Sequence, residues 1–207
     1  MKQVAEGDLT SVSNLVSMIT PKGSYYIDRD MRDTFMEEYC SYIFETEDPV
    51  VGLAEKPDEL SPYMPVLVDV DLKFKEDDDT EWDISTGESI YYESHVKFVI
   101  NIYQRTLREI VDGIDDRHLA CFLLEKKPYR ISTTNGQTYV KNGFHLHFPW
   151  IFLSKADQEC HLIPRVQKIC KDSNTFAELG FEDSGALIDR GYPRPLADVR
   201  LPQGRRV

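Results

Sequence analysis

The chain is poor in the features that mark secreted, membrane-spanning and zinc-binding proteins. It has 4 cysteines among 207 residues, and none stands in a C-x-x-C pair, which argues against zinc and for reduced thiols. No apolar run approaches the roughly 18 residues that cross a bilayer, and residues 1–8 lack the apolar segment of a secretion signal. These absences predict an intracellular protein that is neither secreted nor bound to a membrane.

Positive charge is also scarce. Lysine and arginine number 24 against 36 acidic residues, which gives a net charge of −12. Such a balance argues against non-specific wrapping around nucleic acid, although it allows a local basic groove. Lys126, Lys127, Arg130 and Lys141 are candidates for that groove, and either Arg130 or Lys141 could steer a template or a triphosphate. The acidic run at 76–79 is most simply a solvated loop.

Residues 65–74, with the sequence PVLVDVDLKF, have the alternation of a strand with one buried face. Successive side chains of a strand point to opposite faces, so Asp69 and Asp71 share one face while Val68, Val70 and Leu72 occupy the other. An Asp-x-Asp pair can be mere surface decoration. Within so apolar a strand, it predicts a pair of metal-binding carboxylates.

Residues 141–149, with the sequence KNGFHLHFP, show the same alternation. Gly143, His145 and His147 share a face, and the phenylalanines and leucine between them point to the core. If this strand neighbours 65–74, two carboxylates and two imidazoles meet above a depression floored by glycine. Such a place suits divalent metal and phosphate. The simpler interpretation of His145 is a hydrogen-bonded sheet histidine, and we expect His147 to line the wall without binding metal.

The remaining patterns predict an α+β fold in which helices are segregated among largely antiparallel strands. Apolar periodicity and capping residues predict helices over 30–45, 89–113 and 154–172. Further strands are expected at 24–27, at 120–124 as a buried strand, and at 187–189, with a hairpin turn at 133–136. Trp82 and Trp150 are interpreted as packing residues.

Three segments, in order, resemble the signature motifs of archaeo-eukaryotic primases: Asp69–Asp71, Gly143–Pro149 and Ile188–Asp189. The likeness is greatest to the primase or primase-polymerase domain of helicase-primases from nucleocytoplasmic large DNA viruses. The segments 21–27 and 122–130 fit the same pattern. The resemblance covers about residues 20–192, and the ordered set is more specific than any single motif.

The resemblance implies a catalytic core of the archaeo-eukaryotic primase type, with a mostly antiparallel sheet similar to that of an RNA-recognition module, plus an N-terminal α/β lobe. We place the lobe at 1–60, the core at 61–192 and an irregular basic tail at 193–207. The implied reaction is template-directed nucleotidyl transfer from nucleoside triphosphates, starting a strand on single-stranded DNA. A helicase domain or subunit outside this chain is the implied partner.

By the same resemblance, Asp69, Asp71 and Asp189 hold Mg²⁺ or Mn²⁺ in a two-metal site. Asp183 is a competing candidate for the third carboxylate. Hard cations prefer carboxylate oxygens, and two of them roughly 3.5–4 Å apart can clamp both the attacking 3′-oxygen and the leaving pyrophosphate. Phosphoryl transfer depends mainly on such positioning and charge neutralisation.

The nucleotide-binding residues implied by the resemblance are Lys141, Gly143 and His145, with His145 contacting the triphosphate. Gly143 stands where the family usually has a small hydroxyl residue, so one hydrogen bond to phosphate is lost or is made by a backbone N–H. Two alternatives remain open. The chain could be a catalytically inactive, truncated remnant that only binds nucleotide or single-stranded DNA. It could also be another Asp-x-Asp enzyme, such as a nucleotide-sugar transferase or a metal nuclease, although the histidine strand and Asp189 argue against this.

The tail at 193–207 has four arginines, one aspartate and no apolar periodicity. One interpretation is a disordered basic arm. The other is a slip of reading frame, since resembling family members continue with a stretch like P-W-L-M-Y-G-S-x-K. Back-translating 194–207 with suitable codons and shifting by one base gives V-P-W-L-M-Y-G-S-R-K-G-E-E. On that hypothesis the chain is a truncated primase domain, and the underlying nucleotide sequence decides between the two.

Overall fold

The computed structural model describes residues 2–4, 14–55, 63–76 and 83–188. The chain divides into two compact units, residues 1–62 and 63–207. The tail at 193–207 and Asp189 therefore lie outside the described residues, as does Trp82. None of the helices in the described ranges combines the length and the apolarity needed to span a bilayer.

The first unit contains a four-stranded antiparallel sheet and one helix. The strand order is β1-β3-β2-β4, with β1 at Lys2–Val4, β2 at Leu15–Ser17, β3 at Gly23–Tyr26 and β4 at Leu53–Glu55. A 3₁₀ turn at Arg29–Met31 leads into helix α1, Arg32–Glu45. The predicted helix at 30–45 and strand at 24–27 are thus confirmed within one or two residues.

The second unit contains a three-stranded antiparallel sheet with the order β5-β7-β6. Its strands are β5 at Tyr63–Lys75, β6 at Phe122–Ser132 and β7 at Thr138–Ser154. Helix α2 spans Glu93–Ile110. After β7, helix α3 at Lys155–Asp157 continues through a π-helical turn at Gln158–Leu162 into helix α4 at Ile163–Asp172. Two 3₁₀ turns follow, Ala177–Leu179 and Ser184–Leu187.

The core of this unit lies between one face of the sheet and the helices. Val70 of β5 and Phe144 and Leu146 of β7 are fully buried, and they share one hydrophobic cluster with Val99 of α2 and Val166 of α4. Alternate residues of β5 and β7 are apolar, so one whole face of the sheet can be covered in this way. The predicted α+β class is confirmed.

Three expectations need correction. The strand at 120–124 is not buried: β6 begins at Phe122 on one edge of its sheet, and the side chains of Phe122, Leu123 and Leu124 are 63%, 40% and 55% exposed. Trp150 is 63% exposed, so it is not a packing residue. Of the strand predicted at 187–189, Leu187 instead ends a 3₁₀ turn and Ile188 makes a single antiparallel bridge with Val70, while Asp189 lies outside the described residues.

Candidate active site

Strand pairing brings the two motif-bearing strands side by side, which is the condition that the predicted site requires. In the antiparallel register of β5 and β7, Asp69 lies opposite His145 and Asp71 lies opposite Gly143. Residues directly opposite in a ladder have their Cβ atoms about 4.5–5.5 Å apart, close enough for side chains to touch. All of them lie on the face opposite to the buried one, because Val70, Phe144 and Leu146 fill the core.

Gly143 allows the two strands to approach each other closely at the site. Its φ is 157°, and a Cβ added there would overlap the carbonyl oxygen of Val70 and lie 3.3 Å from the Cα of Asp71. No serine or other side chain fits this position without separating β5 from β7. The glycine that departs from the family pattern therefore has a steric reason of its own.

A lysine that the sequence placed only in a general basic groove lies at the centre of the site. Lys126 of β6 stands opposite Gly143. Its Nζ donates to Asp69 Oδ1 at 2.8 Å and to Asp71 Oδ1 at 2.7 Å. Lys141 Nζ lies 3.4 Å from the other oxygen of Asp71. The two carboxylates thus converge on one ammonium group, and Asp71 has a second cation beside it.

These contacts shift the pKa values of Asp71 and Lys126 in opposite directions. Burial alone would favour the neutral carboxyl of Asp71, but hydrogen bonds and charge from Lys126 and Lys141 outweigh it, so the pKa of Asp71 lies below its ordinary value. Burial likewise disfavours the ammonium of Lys126, yet Asp69 and Asp71 raise the pKa of Lys126 above its ordinary value. Both groups are therefore charged at neutral pH.

His145 is joined to the same cluster through Asp69. The Nε2 atom of His145 is 2.9 Å from Asp69 Oδ1, a contact that becomes an ion pair when the imidazole is protonated. His147 lies one row further along, opposite Leu67 on one side and Phe122 on the other. The ring of Phe122 is 6.4 Å from that of His147, centroid to centroid. His147 therefore lines the wall next to an apolar row.

Two buried groups hold β6 and β7 in the register that places Lys126. Asn142 donates from Nδ2 to the carbonyl of Lys126 at 2.6 Å and accepts from the N–H of Ile90 at 2.7 Å. Tyr91 donates its hydroxyl proton towards the carbonyl of Gly143 at 3.2 Å and Glu125 Oε1 at 3.1 Å. Burial, helped by Glu125, raises the pKa of Tyr91 to about 12. Tyr91 thus stays a neutral donor.

Two other residues that the sequence offered for the site, Asp183 and Arg130, are engaged in contacts of their own. Asp183 accepts from the N–H of Gly185 at 3.1 Å and lies 3.3 Å from Lys171, so it caps its own turn. Arg130 binds Glu76 through its Nε and one terminal nitrogen. The prediction for Asp189 falls outside the described residues. Within the described ranges, no three or more His, Cys, Asp or Glu residues form a group that could hold a metal ion.

Comparison with known families identifies the kind of protein that carries this site. A model of the N-terminal archaeo-eukaryotic primase domain of the C962R protein matches residues 14–192. The chain therefore belongs to this family of archaeo-eukaryotic primase domains. This confirms the predicted relation to viral helicase-primases at the level of the domain family.

Two curated relatives come from invertebrate iridescent viruses. "Putative helicase 121R" of Invertebrate iridescent virus 3 is 34% identical over 147 residues, which are 71% of this chain and 14% of that protein. "Putative helicase 184R" of Invertebrate iridescent virus 6 is 30% identical over 169 residues, which are 79% of this chain and 17% of that protein. The chain thus spans only about a sixth of the length of these relatives.

Proposed function

We propose that the protein is a DNA primase or primase-polymerase domain that joins nucleotides on a single-stranded DNA template during replication of viral type. The observation that carries this proposal is the convergence of Asp69, Asp71 and His145 on one sheet face in a chain of this family. The catalytic core corresponds to residues 61–192, with residues 1–60 as an N-terminal lobe. An intracellular location follows from this role.

The carboxylates fit a divalent cation. Asp69 and Asp71 already direct one oxygen each to a single cation, the ammonium of Lys126. Carboxylate oxygens are the donors that Mg²⁺ and Mn²⁺ prefer. Asp189 is proposed as the third carboxylate, and its support is the bridge between Ile188, the preceding residue, and Val70. When bound, the cations would neutralise phosphate charge and favour ionisation of the attacking 3′-hydroxyl.

The basic side chains beside the carboxylates suit a triphosphate. His145 Nε2 lies 2.9 Å from Asp69 Oδ1, where a protonated ring nitrogen donates to the carboxylate, and Lys141 approaches Asp71 from the neighbouring row. An ammonium and an imidazole on the same face as the carboxylates can bind phosphate oxygens while the base lies further out. Gly143 keeps the floor between them open.

The row next to the carboxylates suits an unpaired template. Leu67 and Phe122 flank His147 and are 59% and 63% exposed, and Leu124, opposite His145, is 55% exposed. Apolar and aromatic surfaces beside basic groups are typical of proteins that bind unstacked bases of single strands. The matched segment makes up only 14% and 17% of the two proteins named putative helicases, and the rest of their length supports a helicase domain or subunit as the partner of this domain.

Primer synthesis on single-stranded DNA tests the proposal. The protein is given Mn²⁺ and labelled nucleoside triphosphates, and Asp69→Asn plus Asp71→Asn is compared with the natural chain. We expect labelled oligonucleotides from the natural chain and none above background from the double variant, because the metal-binding carboxylates are gone. Asp112→Asn plus Asp172→Asn, at two exposed positions, is the matched control and should keep full activity.

Three other outcomes would contradict the proposal. Equal product from the natural chain and the Asp69/Asp71 variant would show that the pair is not catalytic. No product from either, together with retained binding of single-stranded DNA or nucleotide, would favour the binding-only alternative. Shortening of a labelled primer on a template would instead indicate a nuclease.

A further inference from the structure

We propose that Lys126 is an internal counter-ion of the metal site, which holds Asp69 and Asp71 before metal binds and competes with the divalent cation for them. This inference rests on the proposed function and deepens it. Its starting point is that Lys126 Nζ is within 2.8 Å of one oxygen of each carboxylate. A cation that bridges the same two oxygens would need the same space.

Lys126 is held in this place by its strand. Its carbonyl accepts from the buried Nδ2 of Asn142, and its backbone lies opposite Gly143, where the strands are tightly packed. Its side chain is 26% exposed, and that of Asp71 is 22% exposed. The ammonium is therefore a fixed part of the site rather than a solvated surface charge.

The ammonium and a divalent cation exclude each other for reasons of distance and charge. Metal–oxygen distances are about 2.0–2.6 Å for hard cations, whereas the ammonium needs 2.7–2.8 Å to the same oxygens. Two cations this close repel strongly in a partly desolvated site. Binding of metal must therefore displace the Lys126 ammonium, while the strand keeps its backbone in place.

The displaced ammonium has a second anionic partner within the site. A lysine has a flexible four-carbon stem and forms hydrogen bonds as a point charge. On the proposed function, a triphosphate bound beside His145 and Lys141 would bring a new anion within reach of this ammonium. The triphosphate thus compensates Lys126 for the loss of Asp69 and Asp71, so nucleotide should increase the affinity for metal, and metal the affinity for nucleotide, by the same factor.

Binding of Mn²⁺, followed by electron paramagnetic resonance without template or turnover, tests this competition. Lys126→Met and Lys126→Gln are compared with Lys168→Met, which changes an exposed lysine of α4 away from the site. We expect both Lys126 variants to bind Mn²⁺ at least about tenfold more tightly than the natural chain in the absence of nucleotide. They should also gain less Mn²⁺ affinity from a non-hydrolysable nucleoside triphosphate than the natural chain does, because only the direct attraction between metal and phosphate remains. Lys168→Met should match the natural chain in both respects.

The glutamine variant keeps a hydrogen-bond donor, so it guards against misfolding of the methionine variant. Unchanged or weaker Mn²⁺ binding by folded Lys126→Gln would overturn the competition, and so would nucleotide coupling equal to that of the natural chain. The proposed function would still stand in that case if primer synthesis required Asp69 and Asp71. Absence of Mn²⁺ binding from the natural chain and both Lys126 variants would overturn the metal site and the competition together.

Discussion

At position 143 the lack of a side chain is what allows β5 and β7 to bring their carboxylates and imidazole together. Gly143→Ala is expected to destabilise the protein by about 1–3 kcal/mol, the usual range for overpacking, because its Cβ would overlap the carbonyl oxygen of Val70. Urea denaturation measures the loss. Gly113→Ala is the control, since Gly113 has a φ of +75° but no atom within 4 Å of an added Cβ.

The Gly113→Ala control separates the strain of a left-handed backbone from the steric overlap of an added Cβ. A Cβ at Gly113 costs only the strain of a left-handed backbone, about 1 kcal/mol. A greater loss at Gly143 is therefore steric. If Gly143→Ala were as stable as the natural chain and bound Mn²⁺ equally well, the close approach of the strands would not matter to the site.

At the scale of elements, alternation in the sequence was enough to predict β5, β7 and their shared polar face. It was not enough to place Lys126. Counting back from the turn at 133–136 by the pairing of Ser132 with Thr138 puts Lys126 opposite Phe144, on the core face. A bulge between Lys126 and Tyr129 adds one residue to β6 and moves Lys126 opposite Gly143 instead.

A bulge of this kind is fixed by tertiary contacts, and a single sequence does not display them. Two local signals could have pointed to it: Pro128 lies inside the bulge, where a strand tolerates proline, and Asn142 is a polar residue on the buried face of β7. The predicted burial of 120–124 failed for a related reason. Its apolar residues resemble a core strand, whereas β6 lies at the edge of the sheet.

Asn142→Ala is expected to loosen β6 at the bulge. The change removes the hydrogen bonds to the carbonyl of Lys126 and the N–H of Ile90 and leaves both backbone groups without that partner, at a cost of about 1–3 kcal/mol each if they stay dry. Relative to the natural chain, amide hydrogen exchange in the Asn142→Ala variant should increase more in β6 than in α2. Asn101→Ala, on the exposed side of α2, should leave exchange unchanged, and equal protection of β6 in both variants would contradict this role for Asn142.

At the scale of the whole molecule, the order of three short motifs predicted the family, and the family match to residues 14–192 confirms it. The net charge of −12 did not point to a nucleic-acid partner. Basic side chains such as Lys126 and Lys141 lie next to Asp69 and Asp71 in the fold. The overall composition does not show where in the fold these charges lie.

The stability of the whole molecule should depend on pH through His95, which is buried at the start of α2. His95 is 3% exposed and accepts a hydrogen bond from the N–H of Tyr92 at its Nδ1, while its ring stacks on Phe176. Burial lowers the pKa of His95 below its ordinary value, although Glu178, 3.0 Å from Nε2, opposes the shift. The folded state therefore binds this proton less readily than the unfolded state.

The direction of the pH dependence follows from the lower pKa of His95 in the folded state. The unfolded chain takes up the proton as pH falls through about 6.5, whereas the folded chain resists it, so the free energy of unfolding should decrease from pH 7.5 to pH 5.5. His95→Gln removes the titration, and its urea midpoint should change less over this range than that of the natural chain. His161→Gln, at an exposed position, should change as much as the natural chain. If His95→Gln kept the full decrease, the acid sensitivity would arise from other groups, and the Glu178 carboxylate would have to compensate the buried imidazolium fully.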